Sequence, residues 1–249
     1  MIRRATLVAV TLLLGAIVFG AAGCGRKGTQ KGAGQQGGRK GLYVYCEGCF
    51  RPPLEELAKA YEKKTGTQIK GDYSGCGELL TKIQNTRRGD LYLSHTPFLG
   101  ALKQRGFLDQ GVTIAEIEPV ILVQKGNPKD IQGLADLATG DVRVALPSAE
   151  YSTTGHLVKR MLQKADLTDK IKDNVKTRSP EGSGAANAVQ IGTVDAAIVW
   201  NIFADMRSEK TEAVPIDKEY RMKKKVDAVT TATYGKVEID YIRVTAARL

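Results

Sequence analysis

Apolar positions along this chain switch repeatedly between two periods. Residues 42–46 (Leu-Tyr-Val-Tyr-Cys) form a short β-rich run. Residues 52–65 follow, with Leu54, Leu57, Ala58 and Tyr61 at the i, i+3, i+4, i+7 spacing of a helix. The alternation continues with a strand predicted over 68–73, a helix over 77–87 with Leu79, Leu80 and Ile83 on one face, a strand over 91–93 and a short helix over 97–105. Strands over 118–124 and 142–146 come next. A helix over 154–165 carries Leu157, Val158, Met161, Leu162 and Ala165, and a helix over 184–191 and a strand over 196–200 complete the pattern. Strands alternating with helices predict an α/β fold of mixed, mostly parallel sheets with covered faces. No internal repeat is visible in the sequence.

The N-terminal segment follows a different rule. Arg3 and Arg4 precede an apolar run over 5–19, and Ala21-Ala22-Gly23-Cys24 follows, the order of an export signal. A cysteine directly after Gly23 resembles the acylated cysteine of a bacterial lipoprotein signal, which implies a signal peptide over 1–23 and lipidation at Cys24. The alternative is an uncleaved membrane anchor, for which the run is marginally short. Residues 24–41 are almost entirely Gly, Lys, Arg and Gln, a composition that buries no core and acts as a flexible tether. Arg3, Arg4, Arg26, Lys27, Lys31, Arg39 and Lys40 hold most of the formal +10, and no acid occurs before Glu47. The basic excess therefore belongs to the tether, where it suits anionic headgroups. It gives no reason to expect nucleic-acid binding. The folded part is expected at the cell envelope, facing the periplasm or the exterior.

In α/β folds, ligands collect at the carboxyl ends of strands, where helix N-termini begin. Four such junctions share a composition: Cys46-Glu47-Gly48-Cys49, Ser74-Gly75-Cys76-Gly77, Ser152-Thr153-Thr154-Gly155 and Gly182-Ser183-Gly184. Each offers small, hydroxyl or thiol residues and free backbone N–H groups, without Lys or Arg. Helix N-termini hold an anion with dipoles and neutral donors. Taken singly, the same residues are ordinary N-caps.

Four stretches carry a family resemblance: LYVYCEGCFRPPLEELAKAYEKKTG, YSGCGELLTKIQNTRRGDLYLS, GDVRVALPSAEYSTTGHLVKRML and VDAAIVW. In that order, from residue 42 to about 204, they make the chain similar to periplasmic molybdate-binding proteins, the solute receptors of oxyanion ABC transporters. The resemblance implies a two-lobed, type II periplasmic-binding-protein fold with hinge strands near 119–124 and 214–230. Lobe 1 would comprise 42–118 plus 225–249, and lobe 2 would comprise 119–224. It further implies a non-enzymatic, monomeric receptor without a cofactor. Such a receptor closes on a molybdate- or tungstate-like oxyanion and serves an ABC permease and its ATPase. The family's ligand positions fall on Cys49, on Cys76 with Ser74 just upstream, on Thr154, on Gly182 or Ser183, and on Trp200, which stands where the family carries a tyrosine. The family also ends in a helix packed on the first lobe. Here the strand-like stretch over 241–247 leaves no amphipathic segment to supply it, so exposed apolar surface is expected on that lobe.

The departures from the family pattern open a second reading. Cys46, Cys49, Cys76 and His95 would converge on one strand-end cleft. Three thiols and an imidazole suit a soft or borderline centre such as Zn(II), Cu(I) or trivalent arsenic. Glu47, in the same loop, disfavours a dianion. Exported thiols also pair, which allows a Cys46–Cys49 or Cys49–Cys76 disulfide instead. A third reading takes Cys46-Glu47-Gly48-Cys49 as the active dithiol of a thioredoxin-like oxidoreductase, although Cys76 and the long second half have no place in that scheme. The two histidines, His95 and His156, form no Ser/His/Asp arrangement that the sequence reveals.

Overall fold

A computed structural model describes residues 41–108, 110–149, 152–222, 228–231, 235–238 and 242–249. The expected signal peptide, Cys24 and the tether up to residue 40 lie outside the described residues. The chain opens with β1 (Gly41–Glu47), a 3-10 turn (Gly48–Phe50) and α1 (Arg51–Thr65). Proline occupies the first turn of α1, where a missing N–H costs nothing, and the helix stops at Gly66 in the left-handed region (φ 72°). β2 (Gln68–Ser74), α2 (Cys76–Thr86), β3 (Leu91–His95), α3 (Thr96–Gln104) and β4 (Gly111–Ile117) follow.

After Glu118 comes β5 (Pro119–Gln124), then β6 (Val144–Pro147), α4 (Thr153–Lys164), β7 (Val175–Ser179) and α5 (Gly182–Gln190). β8 (Ala196–Trp200), the short α6 (Ile202–Asp205), β9 (Thr211–Pro215), a β10–β11 hairpin (Ala228–Thr231 with Gly235–Glu238) and β12 (Ile242–Arg248) complete the chain.

Two five-stranded sheets result, ordered β2-β1-β3-β12-β4 and β7-β6-β8-β5-β9. β1 pairs in parallel with β2 and β3, while β12 runs antiparallel to both β3 and β4. β6 pairs in parallel with β7 and β8, while β5 runs antiparallel to both β8 and β9. In each sheet four strands therefore point one way and one runs against them. These are the two lobes of a type II periplasmic-binding-protein fold. The halves repeat each other in topology although the sequence shows no repeat, because strand order depends on where apolar runs fall and not on which residues fill them.

Apart from the β10–β11 hairpin, three strands escaped the periodicity: β4, β7 and β9. Each is an edge strand. β4 buries only Ile117, and β7 (Val-Lys-Thr-Arg-Ser) is half-buried only at its ends. An edge strand covered on neither side supplies no continuous apolar run, and its charges discourage edge-to-edge pairing. Val112 and Ile114 on β4 are exposed.

The core has three parts. Leu79, Leu80 and Ile83 of α2 pack with Tyr45, Tyr92, Phe98 and Leu102 on one face of the first sheet. Each such aliphatic side chain contributes about 1.5–3 kcal/mol by leaving water. Ile121, Val144, Met161 and Ile198 anchor the outer face of the second sheet. The third cluster crosses between lobes, joining Val44, Phe50 and Leu54 to Leu157, Val199, Trp200 and Phe203. This shared cluster forms the floor of the cleft.

A carboxyl-end cleft with a thiol, an imidazole and a carboxylate

The carboxyl ends of β1, β2 and β3 face those of β6, β7 and β8 across a cavity of about 350 Å³. The first lobe contributes Glu47, Cys49, Cys76, Glu78 and His95, and the second contributes Ser152, Thr153, Thr154, Glu181, Gly182, Ser183, Trp200 and Phe203. Among the described residues no Lys or Arg lines it.

Local folding explains each placement. The 3-10 turn after β1 folds Cys49 back over the strand end, held by Glu47 Oε2, which accepts from the Cys49 N–H at 3.0 Å. α2 begins at Cys76 and α5 at Gly182, both without a side-chain cap, so their first N–H groups face the cleft undirected. α4 is capped instead: Ser152 Oγ accepts from the Gly155 N–H at 2.9 Å. Gly155 is required there, because a Cβ would collide with the Ser148 carbonyl and the Ala149 nitrogen.

His95 is the centre of the first-lobe wall, only 1% exposed. Phe50 and Trp200 hold the ring edge-on and tilted, at centroid distances of 5.1 and 5.6 Å. Cys49 Sγ lies 3.7 Å from His95 Nε2 and Glu47 Oε2 lies 3.9 Å from the same nitrogen. Cys76 Sγ lies against the other nitrogen, 3.5 Å from Nδ1, and 3.1 Å from Ser94 Oγ. Glu47, Cys49 and His95 offer ligand atoms that all lie within 4.8 Å of one another, a group able to hold a metal ion.

Burial governs the protonation of this wall. It pushes the Cys49 and Cys76 thiols well up, with the charge of Glu47 adding to the effect. It holds the Glu47 carboxyl at about 7, against bonds from Cys49 that lower it and with Glu181 raising it further. It depresses His95 to about 3. At neutral pH the wall therefore presents protonated thiols and a neutral imidazole. An oxidoreductase dithiol needs the opposite, a depressed thiol pKa at a helix start, so the thioredoxin-like expectation fails on chemistry.

Of the residues singled out in the sequence, Cys49, Cys76, His95, Thr154, Gly182, Ser183 and Trp200 meet in this cavity. Cys46 and Ser74 do not line it. Cys46 faces the core beneath α1, with Val44, Phe50 and Leu54, and its Sγ donates to the Glu47 carbonyl at 3.4 Å. Its thiol is also pushed up by burial. Ser74 Oγ donates to the Glu78 carboxylate. None of the three thiols is in a disulfide. His156 sits half-buried in the first turn of α4, outside the lining. Glu78, Pro180, Glu181 and Phe203 were missed. The position of Glu181 directly before a glycine-rich helix start was a usable signal, whereas nothing in the sequence marks Phe203.

The fold has solved counterparts. The Azotobacter vinelandii periplasmic molybdate-binding protein matches with a TM-score of 0.62 at 18% identity, over 83% of this chain and 84% of that one. Iron-bound HitA from Pseudomonas aeruginosa matches with a TM-score of 0.57 at 18% identity, over 85% of this chain and 75% of that one. At such identities the likeness is one of fold alone. A Bacillus subtilis protein provisionally named an ABC transporter substrate-binding lipoprotein is 27% identical over 155 residues, 59% of this chain and 57% of that protein. Among the described residues no helix is long and apolar enough to cross a membrane. The family described as bacterial extracellular solute-binding protein matches residues 42–238, and the chain belongs to it: a non-enzymatic solute-binding protein of the kind that works with the permease and ATPase of an ABC transporter.

Proposed function

We propose that this protein is a lipid-anchored receptor of an ABC importer, tethered through Cys24, and that its solute is a thiophilic metal ion. The carboxyl groups of the cleft carry this reading: Glu47 on the first lobe and Glu181 on the second line it with no Lys or Arg among the lining residues, while Glu78 is paired with Lys82 Nζ at 3.2 Å. Two unit charges at about 4 Å interact by about 4 kcal/mol at an effective dielectric of 20. A neutral hydrogen bond returns only about 1 kcal/mol net. A dianion facing Glu181 therefore starts at a disadvantage that its neutral donors offset only in part, and beside Glu47, held at about 7, it requires a protonated carboxyl, whereas a cation gains from both groups.

A molybdate-like oxyanion is the second reading, favoured by the uncapped N-termini of α2 and α5. Calorimetry on the reduced protein separates the two, with Zn(II), Cu(I) and arsenite set against molybdate. Saturable binding of a thiophilic species without molybdate binding is the expected result. Molybdate binding without any cation response would overturn the cation reading. Co-purification of a permease and ATPase, and loss of membrane fractionation on Cys24→Ser, test the transport and anchoring parts.

A further inference from the structure

We infer that the ion is held through a single thiolate. Cys49 Sγ, His95 Nε2 and a Glu47 carboxylate oxygen form a three-ligand site open towards the second lobe, and Cys76 is the residue that orients the imidazole. The inference rests on the cation reading above and names its atoms. A tetrahedral zinc-type ion with bonds of about 2.3 Å to sulfur and about 2.0 Å to nitrogen separates those two ligand atoms by about 3.6 Å. Cys49 Sγ and His95 Nε2 stand 3.7 Å apart, and Glu47 Oε2 stands 3.9 Å from the same nitrogen. Cys49 Sγ and His95 Nε2 already stand at about the separation such an ion requires, and all three ligand atoms lie within 4.8 Å of one another.

Cys76 is excluded by the ring itself. It meets Nδ1, at 3.5 Å, and the lone pairs of the two imidazole nitrogens diverge. An ion taken by Nε2 is therefore turned away from Cys76 Sγ. In that place Cys76 accepts the Nδ1–H, fixing the tautomer that leaves Nε2 free to ligate, as carboxylates and carbonyls do behind other ligating histidines. Ser94 Oγ, fully buried at 3.1 Å, holds the Cys76 sulfur in position. Phe50 and Trp200 fix the plane of the ring.

This set selects its ion. One sulfur, one nitrogen and one oxygen suit a borderline divalent ion of the zinc type, whereas Cu(I) and trivalent arsenic gain most from sites richer in thiolate. Cys49 enters as a thiol and gives its proton to solvent as the S–M bond forms, with no change of oxidation state. Glu181 and Ser183 line the second-lobe side of the same cavity.

The test titrates the reduced protein, carrying Cys24→Ser to keep it out of the membrane, with Co(II) as a spectroscopic stand-in and then with Zn(II) in competition. A sulfur-to-cobalt band of one-thiolate strength is expected, lost with binding in Cys49→Ser. Cys76→Ala should keep the band and weaken Zn(II) by about 10–100-fold, and Cys76→Ser, which still accepts from Nδ1, should recover most of that loss. Should Cys49→Ser not fold, the Cys46→Ala/Cys76→Ala double variant must still show the one-thiolate band. A two-thiolate band that halves in Cys76→Ala would make Cys76 a ligand and overturn the inference. Ion binding with no thiolate band would overturn the site while leaving the cation reading standing. Failure of every cation, with molybdate binding instead, would overturn both.

Discussion

The two lobes have the same strand order and form their faces of the cleft in the same way, from the carboxyl ends of three parallel strands, yet they place different chemistry there. The first lobe presents two thiols, an imidazole and two carboxyl groups, and burial shifts all of them but Glu78. The second presents hydroxyls and helix-start N–H groups at Ser152, Thr154, Gly182 and Ser183, with Glu181 as its one carboxylate. Topology fixes where the groups stand. A handful of junction residues decides what they bind.

The largest expected effect comes from making the first lobe resemble the second. In Glu47→Gln/Cys49→Ser, two of the three proposed ligands become neutral donors. Zn(II) affinity should then fall by more than about a hundredfold, beyond the usual cost of losing an outer-shell partner, and molybdate binding should appear in calorimetry. If the double variant still binds Zn(II) as the parent does, the contrast between the lobes has no functional meaning.

Gly155→Ala attacks the second lobe instead. Its Cβ would land on backbone at Ser148 and Ala149, and such overpacking costs about 1–3 kcal/mol. A lowered melting temperature, with the Co(II) spectrum of the remaining folded protein unchanged, would show that the second lobe supplies the frame and the first the ligands.

Acid stability sharpens the comparison within the first lobe. The unfolded chain protonates a histidine near 6.5, but folded His95 resists until about 3. That contribution is complete above 6.5 and is lost as the pH falls. Glu47 runs the other way: its neutral folded form is favoured below 4.5, and that contribution is lost as the pH rises through about 7. Between 4.5 and 6.5 the two slopes oppose each other. Glu47→Gln removes one of them, so denaturant melts of the unliganded variant should show stability rising with pH by up to about 1.4 kcal/mol per unit. A flat profile would mean that His95 is not shielded as its burial implies.

Ser183→Ala should do least. Its hydroxyl reaches Glu181 Oε2 at only 3.4 Å, and losing so long a hydrogen bond should change Zn(II) affinity by no more than about threefold. A larger loss would promote the second lobe from frame to ligand donor.

Much of this was legible in the sequence. The helices and central strands follow from apolar runs such as 79–83 and 196–200, and the junction compositions located the cleft. The edge strands β4, β7 and β9 were not legible, because a strand paired on one side only and largely exposed on its faces gains little from a continuous apolar run. The four-ligand grouping was wrong in one respect for a simple reason. Cys46 faces the core from the end of β1, whereas Cys49 lies beyond it in the 3-10 turn, and only Cys49 reaches the cavity. That Cys76 and Cys49 meet different nitrogens of one ring depends on a rotamer, which no spacing encodes.

Trp200 is the only tryptophan in the chain, and it lies 5.6 Å from the His95 ring. The protein thus carries a built-in optical probe at its binding wall. A cation arriving on the imidazole perturbs the indole next to it and no other, so the emission of the unlabelled protein reports occupancy of the cleft directly. A solute that binds anywhere else leaves that signal silent.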